Sequence, residues 1–248
     1  MIKRVAVVTG GYGVLGGAIA EGLALTGAAV AILGRRAEPA EAKAAAIRKA
    51  GGDASVLIAD VRDPEQLRAA RERLLGERGQ VDILINAAGG NVARARSDGR
   101  PVFDVPPDAM DEVLRLNLYG TLTPSLVFGE IMGRQGSGCI VNISSMAARR
   151  ALSGVLGYTI AKAGVEALTA WLAADLARRY GDRVRVNAVA PGFFVTEKNR
   201  NVLLNPDPTA PTPSAPARSS RRHPWEGSAD RRRSSGRYSG CAATRRRS

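Results

Sequence analysis

Residues 4–24 read "RVAVVTGGYGVLGGAIAEGLA". A β-branched apolar run ends at Thr9, a cluster of glycines follows, and an Ala/Leu-rich helical pattern begins at once. Glycines at such a junction permit a tight turn and let the backbone come close to a pyrophosphate, which would rest on the unpaired N–H groups of the helix start. Gly10, Tyr12, Gly13, Leu15 and Gly16 are therefore candidate cofactor contacts. A plain strand-to-helix connection uses the same residues, so the turn speaks more firmly for the fold than for a ligand.

The same alternation continues down the chain. Strand-like runs lie at 4–10, 28–34, 55–61, 81–89, 138–145 and 183–192, with helical patterns near 14–26, 37–50, 64–78, 108–133 and 158–180. The apolar runs lack in/out alternation, as expected of strands covered on both faces. This order predicts an α/β fold, a doubly wound parallel sheet of the Rossmann type, in one domain over residues 1–205. Ligands in such sheets bind beyond the carboxyl ends of the strands, where strand order reverses.

The chain has 248 residues and a net charge of +13, unevenly placed. Residues 206–248 hold ten arginines against three acids, so the body is only mildly basic. Two cysteines, Cys139 and Cys241, make neither a disulfide framework nor a metal site. A soluble protein of the reducing cytoplasm is expected, without signal peptide, membrane span or metal.

A tyrosine and a lysine in "GYTIAKAG" carry the chemistry. Tyr158 and Lys162 are four apart at the start of a helical pattern and so share a face. A phenol near its reference pKa of about 10 exchanges protons poorly at neutrality; a nearby ammonium stabilises the phenolate, and about 4 kcal/mol brings its pKa near 7. Ser145 closes the preceding strand. Alone, a Tyr-x-x-x-Lys pair is more often a surface pair; with Ser145 and the glycine turn it points to a site.

These residues resemble the short-chain dehydrogenase/reductase family, over residues 1 to about 205. The resemblance implies hydride transfer between NAD(P) and an alcohol or carbonyl carbon. It makes Tyr158 the general acid/base, Ser145 the group that orients the substrate oxygen, and Lys162 the partner of the nicotinamide ribose that also lowers the Tyr158 pKa. Asn117 in "LNLYG" matches the family's helix asparagine, which continues a proton relay through bound water. "TGGYGVLG" is similar to the family's glycine turn, with Val14 where its middle glycine usually stands. Asp60 and Val61 match the adenine-holding pair. Asn86, Ala88 and Gly89 in "NAAG" match another cofactor turn, with Ala87 replacing its second asparagine. Pro191 and Gly192 complete the implied cofactor set.

Gly34 stands where an NAD-preferring member offers an acid, and Arg35 with Arg36 could grip a 2′-phosphate, so NADP is favoured over NAD. A solvated helix start would read the same way, which keeps NAD open. "AAGGN", "NISSM" and "APGFFVTEKNR" are similar to the sugar-acid branch, the D-mannonate oxidoreductases or fructuronate reductases. Arg94, Arg96 or Arg150 could meet a substrate carboxylate there. Related enzymes are dimers or tetramers, which makes a homo-oligomer the expected assembly if the full family fold is present.

After Asn205 the family's last helix and strand are missing. Six prolines, runs of Arg and Ser and almost no aliphatic residues follow, a composition expected to be disordered. Clustered arginine allows a nucleic-acid binder, but no aromatic platform or Cys/His module accompanies it, and that partner is not expected. A shifted reading frame is the third explanation. When each codon takes the last base of one present codon and the first two of the next, Trp225, Ser228, Ser234, Ser235, Tyr238, Ser239, Cys241 and Ser248 can all become apolar. In that frame residues 223–248 admit a string, chosen rather than forced, that includes "VGALLWL" over 235–241, with the apolar spacing of a core helix. The expectation is an out-of-frame tail at 206–248. With it comes an alternative for the whole chain: an inactive nucleotide-binding remnant.

Overall fold

The computed structural model describes residues 3–192 apart from Ala151 and Ser153. The expected Pro/Arg/Ser tail lies outside them. Six strands, β1 (Val5–Thr9), β2 (Ala29–Gly34), β3 (Asp53–Ile58), β4 (Ile83–Asn86), β5 (Gly138–Ile143) and β6 (Val184–Val189), form one sheet in the order β3-β2-β1-β4-β5-β6. Every pairing is parallel. The helices are α1 (Val14–Leu25), α2 (Ala37–Lys49), α3 (Pro64–Arg78), α4 (Pro107–Leu114), α5 (Gly120–Gln135) and α6 (Leu156–Tyr180). This is the doubly wound sheet expected.

Successive side chains of a strand point to opposite faces, and the two faces build two cores. Val5, Val7, Leu84, Ile140 and Val184 pack against Leu67 and Leu74 of α3, Phe128 and Met132 of α5, and Leu172 of α6. Val8, Val30 and Ile32 pack against Ala20 and Ala24 of α1 and Ala44 and Ile47 of α2. Helix ends follow local chemistry. Asp63 caps α3, accepting from the N–H groups of Glu65 and Gln66 at 2.9 and 3.1 Å, with Pro64 next and Gly79 left-handed at the far end.

The expected helix 108–133 is instead interrupted. Between α4 and α5, residues Arg115–Tyr119 form a π-helical segment. The cause lies just downstream: Pro124 has no N–H to give, and the hydroxyls of Thr121, Thr123 and Ser125 take the carbonyls of Asn117, Tyr119 and Thr121. Helical periodicity continues through the stretch, so the pattern does not reveal the wider turn. The third strand also ends earlier than expected, at Ile58, which leaves Asp60 and Val61 in the loop beyond it.

Candidate active site

Strand order reverses between β1 and β4, and the glycine turn and the "NAAG" turn lie at the carboxyl ends of those two strands. Gly10 has φ +63°, and a Cβ there would lie 2.9 Å from Ala88 Cα. Gly13 donates its N–H to the Gly10 carbonyl at 2.8 Å, closing the turn, and a Cβ on Gly16 would lie 2.4 Å from that same oxygen. Val14, by contrast, is 66% exposed, so the departure from a glycine costs no space. Thr9 Oγ1 accepts from Ala87 and Ala88 N–H, both at 3.1 Å, and ties the two turns together.

From Ala88 the site continues without a gap. A Cβ on Gly89 would stand 2.7 Å from Asn117 Oδ1 and 3.6 Å from Lys162 Nζ. Asn117 is fully buried, accepts from Gly90 N–H at 2.9 Å and donates to the carbonyls of Gly90 and Val113 at 2.8 and 3.0 Å. The π segment presents this side chain to the turn. Its own carbonyl accepts from Thr121 Oγ1 at 2.9 Å.

Lys162, on α6, is 4% exposed. Its ammonium donates to the Ile143 carbonyl at 2.6 Å and lies 5.5 Å from the centre of the Tyr158 ring. Burial draws its pKa down to about 8. Tyr158 packs with Ala95, Ala109 and Val113, and this apolar setting raises its pKa, while a hydrogen bond with Ser145 pulls the other way. The sequence led to the expectation of a phenol made acidic by Lys162. The direction here is the reverse, because desolvation acts on both groups and the ammonium is turned toward a backbone carbonyl. Ser145 itself accepts from Ala147 N–H at 3.2 Å and caps the short 3-10 turn Met146–Ala148.

The remaining sequence candidates sit around this line. Asp60 is held by Arg62, with contacts at 2.7 and 3.0 Å, and lies 3.8 Å from Arg35; the Arg62 hydrogen bonds keep its pKa below the usual carboxylate range. Val61 packs where a Cβ on Gly120 would approach to 2.9 Å. Tyr12 lies across Gly34, where a Cβ would meet its ring at 2.2 Å, and the Arg36 guanidinium stands 5.3 Å from the ring centre. Leu15 is partly buried among the α1 and α2 core residues. Pro191 and Gly192 follow β6. Arg94 and Arg96 are paired with Asp108 and Asp98, each at 2.6 Å; Arg150 is exposed and has no ion pair among the described residues.

A buried polar chain supports the site and escaped the sequence reading. Asn86 Nδ2 donates to Ser125 Oγ at 2.8 Å and to Asn142 Oδ1 at 2.9 Å, and Asn142 Nδ2 donates to Thr169 Oγ1 at 2.9 Å. It joins β4, β5, α5 and α6, the last two being the helices that follow Asn117 and carry Lys162. The one available signal was an asparagine in the middle of the apolar run "CIVNIS".

Residues 4–206 match the family model described as short chain dehydrogenase. An "uncharacterized oxidoreductase UxuB" of Bacillus subtilis is 41% identical over 215 residues, covering 83% of this chain and 76% of its own. A Haemophilus influenza structure with bound NAD, a D-mannonate oxidoreductase candidate, superposes with a TM-score of 0.74 at 36% identity over 79% of this chain and 73% of that one. A gluconate 5-dehydrogenase from Burkholderia cenocepacia in complex with NADP and tartrate gives 0.74 at 34% identity, covering 82% and 76%.

Proposed function

From the premise that this chain belongs to the short-chain dehydrogenase family, an oxidoreductase acting on CH–OH groups, we propose that Tyr158, Ser145, Lys162 and Asn117 carry its proton chemistry and that its substrate is a hydroxy or keto sugar acid. The observation behind this is the unbroken path from the glycine turn through Ala88, Gly89, Asn117 and Lys162 to Tyr158 and Ser145.

The residues present fit a nicotinamide dinucleotide. The first N–H groups of α1 have no intrahelical acceptor, and the glycine turn keeps the space before them free of side chains. Lys162 is buried with one hydrogen-bond acceptor for three donors, which suits a second partner such as ribose hydroxyls. When bound, the cofactor supplies or takes up the hydride. Tyr158 gives or takes the proton at the substrate oxygen, and Ser145 holds that oxygen against the phenol. An acceptor that draws Lys162 Nζ away from the Ile143 carbonyl and toward Tyr158 restores the charge effect on the phenol, and Asn117 anchors the route by which the proton returns to water.

NADP is the favoured cofactor. Tyr12 fills the space over Gly34, so an acid there would displace the ring, while Arg35 and Arg36 flank the same corner. The substrate's carboxylate has Arg150 as its available partner among the described arginines named above. Exposed Leu126 of α5 and Ile160 and Trp171 of α6 give the long helices an apolar outer face, which supports a homo-oligomer. The test is turnover of D-fructuronate with NADPH and with NADH, for the chain and for Tyr158→Phe. The variant should lose at least about 10²-fold in kcat while binding cofactor as before. Equal activity of the two proteins overturns the assignment. A chain that binds cofactor and turns over none of a panel of sugar acids is the inactive remnant, a reading favoured by the unpaired outer edge of β6 among the described residues.

A further inference from the structure

A carboxylate that the proton chemistry does not use stitches the end of β5 to α6. Glu166 lies one turn beyond Lys162 on α6. Its Oε1 accepts from Ser144 Oγ at 3.1 Å, and Arg149 Nε stands 3.1 Å from both of its oxygens. Ser144 is 2% exposed, and its hydroxyl is also 3.4 Å from the Lys162 carbonyl. The two partners of Glu166 bracket Ser145 and the 3-10 turn Met146–Ala148, one preceding it and the other following it. Within that turn Ser145 Oγ has little freedom, because it accepts from Ala147 N–H at 3.2 Å. Where the turn rests on α6 therefore decides where the hydroxyl meets Tyr158.

We infer that Glu166 is a positioning residue for this proton chemistry, an inference resting on the roles proposed for Tyr158 and Ser145: it holds the Ser145 turn against the helix that carries Tyr158 and Lys162. Of its two arms the buried one carries the effect. Arg149 is exposed, and an ion pair in water is screened and costs side-chain freedom, so it holds little. The Ser144 hydroxyl is out of water, where a bond to a charged acceptor is of the stronger kind. The sheet alone does not place the turn. Ser144 N–H is bound to the Val189 carbonyl of β6 at 2.8 Å, which fixes the chain as far as Ser144 and no further. The other tie between β5 and α6, from Lys162 Nζ to the Ile143 carbonyl, is the one that ribose hydroxyls would loosen. The Ser144–Glu166 bond involves neither group and stays in place.

Difluorotyrosine installed at position 158 reports the contact through its fluorine resonance, whose midpoint in a pH titration follows the phenol. The hydrogen bond with Ser145 pulls that midpoint down. Four chains are compared: the parent, Ser145→Ala, Glu166→Ala and the double variant. Glu166→Ala should raise the midpoint by about 0.5–1 pH unit, the worth of one net hydrogen bond, matching Ser145→Ala, and the double variant should go no higher than Ser145→Ala alone. Charge by itself gives the opposite sign, since removing a carboxylate makes a phenolate easier to form. Glu166→Gln, which keeps an acceptor for Ser144, should not raise the midpoint, and Arg149→Ala should move it less than half as far as Glu166→Ala. In a chain that turns over, Glu166→Ala should lower kcat by at least about tenfold with KM nearly unchanged, and should lower it no further once Ser145 is alanine. An unmoved or lowered midpoint in folded Glu166→Ala overturns the inference, and so does a double variant in which the two shifts add. The titration needs neither cofactor nor turnover, so its outcome is separate from a failure of the proposed reaction, which Tyr158→Phe reads. Should Glu166→Ala not fold, Ser144→Ala takes its place and must raise the midpoint as far as Ser145→Ala, or the inference falls.

Discussion

Lys162 is a charge kept almost dry by the residues around it, with one carbonyl as compensation. Its pKa near 8 makes it a stability group as well as a functional one. In the unfolded chain it holds its proton to about its ordinary value of 10.5, whereas the folded chain releases it near 8. Between those values unfolding takes up a proton, so stability rises with pH through this window, by about 3 kcal/mol at most. Tyr158, whose pKa is raised, titrates above its own ordinary value of 10 and leaves the range from 8 to 10 to the lysine. Lys162→Met should therefore flatten the stability profile between pH 8 and 10 and raise stability at pH 7, measured by urea unfolding at several pH values, while abolishing turnover. An unchanged slope would mean that the ammonium is better solvated than its burial implies. The spacing of Tyr158 and Lys162 is plain in the sequence. The direction of their pKa values is not, because it depends on Ala95, Ala109 and Val113, which arrive from segments 45 to 63 residues upstream of Tyr158.

At the scale of elements, the glycine turn shows how position rather than residue type decides what a substitution does. A Cβ on Gly16 would run into the Gly10 carbonyl at 2.4 Å, so Gly16→Ala must open the turn that Gly13 N–H closes on that oxygen. A loss of about 1–3 kcal/mol is expected, with cofactor affinity falling by at least tenfold, read by thermal unfolding and by fluorescence titration with NADPH. Val14→Gly, two residues away in sequence but exposed, should leave affinity within about threefold and cost only about 0.5 kcal/mol of helix propensity. If both variants behave alike, the turn is not what holds the dinucleotide. The five helical patterns and six strands were legible because burial on two faces leaves an unmistakable apolar periodicity. The π segment around Asn117 was not, since Pro124 and the hydroxyls at 121, 123 and 125 act on the backbone and leave the side-chain pattern intact. The Asn86–Asn142–Thr169 chain was equally hidden, because it joins residues 27 and 56 apart in sequence.

For the whole molecule, charge and stability part company. Residues 206–248 supply seven of the thirteen net positive charges, ten arginines against three acids, yet they hold almost no aliphatic side chains. A segment that contributes charge and no apolar burial adds little to folding free energy, since that burial is the dominant favourable term. Truncation after Asn205 should therefore leave the melting temperature within about 2 °C, a shift corresponding to about 0.5–1 kcal/mol in a domain of this size. It should also lower retention on a polyanionic column, because about half of the positive charge is gone. A fall of several degrees would show that the tail, in its present frame, packs against the enzyme scaffold. Differential scanning calorimetry of the full and truncated chains separates these cases.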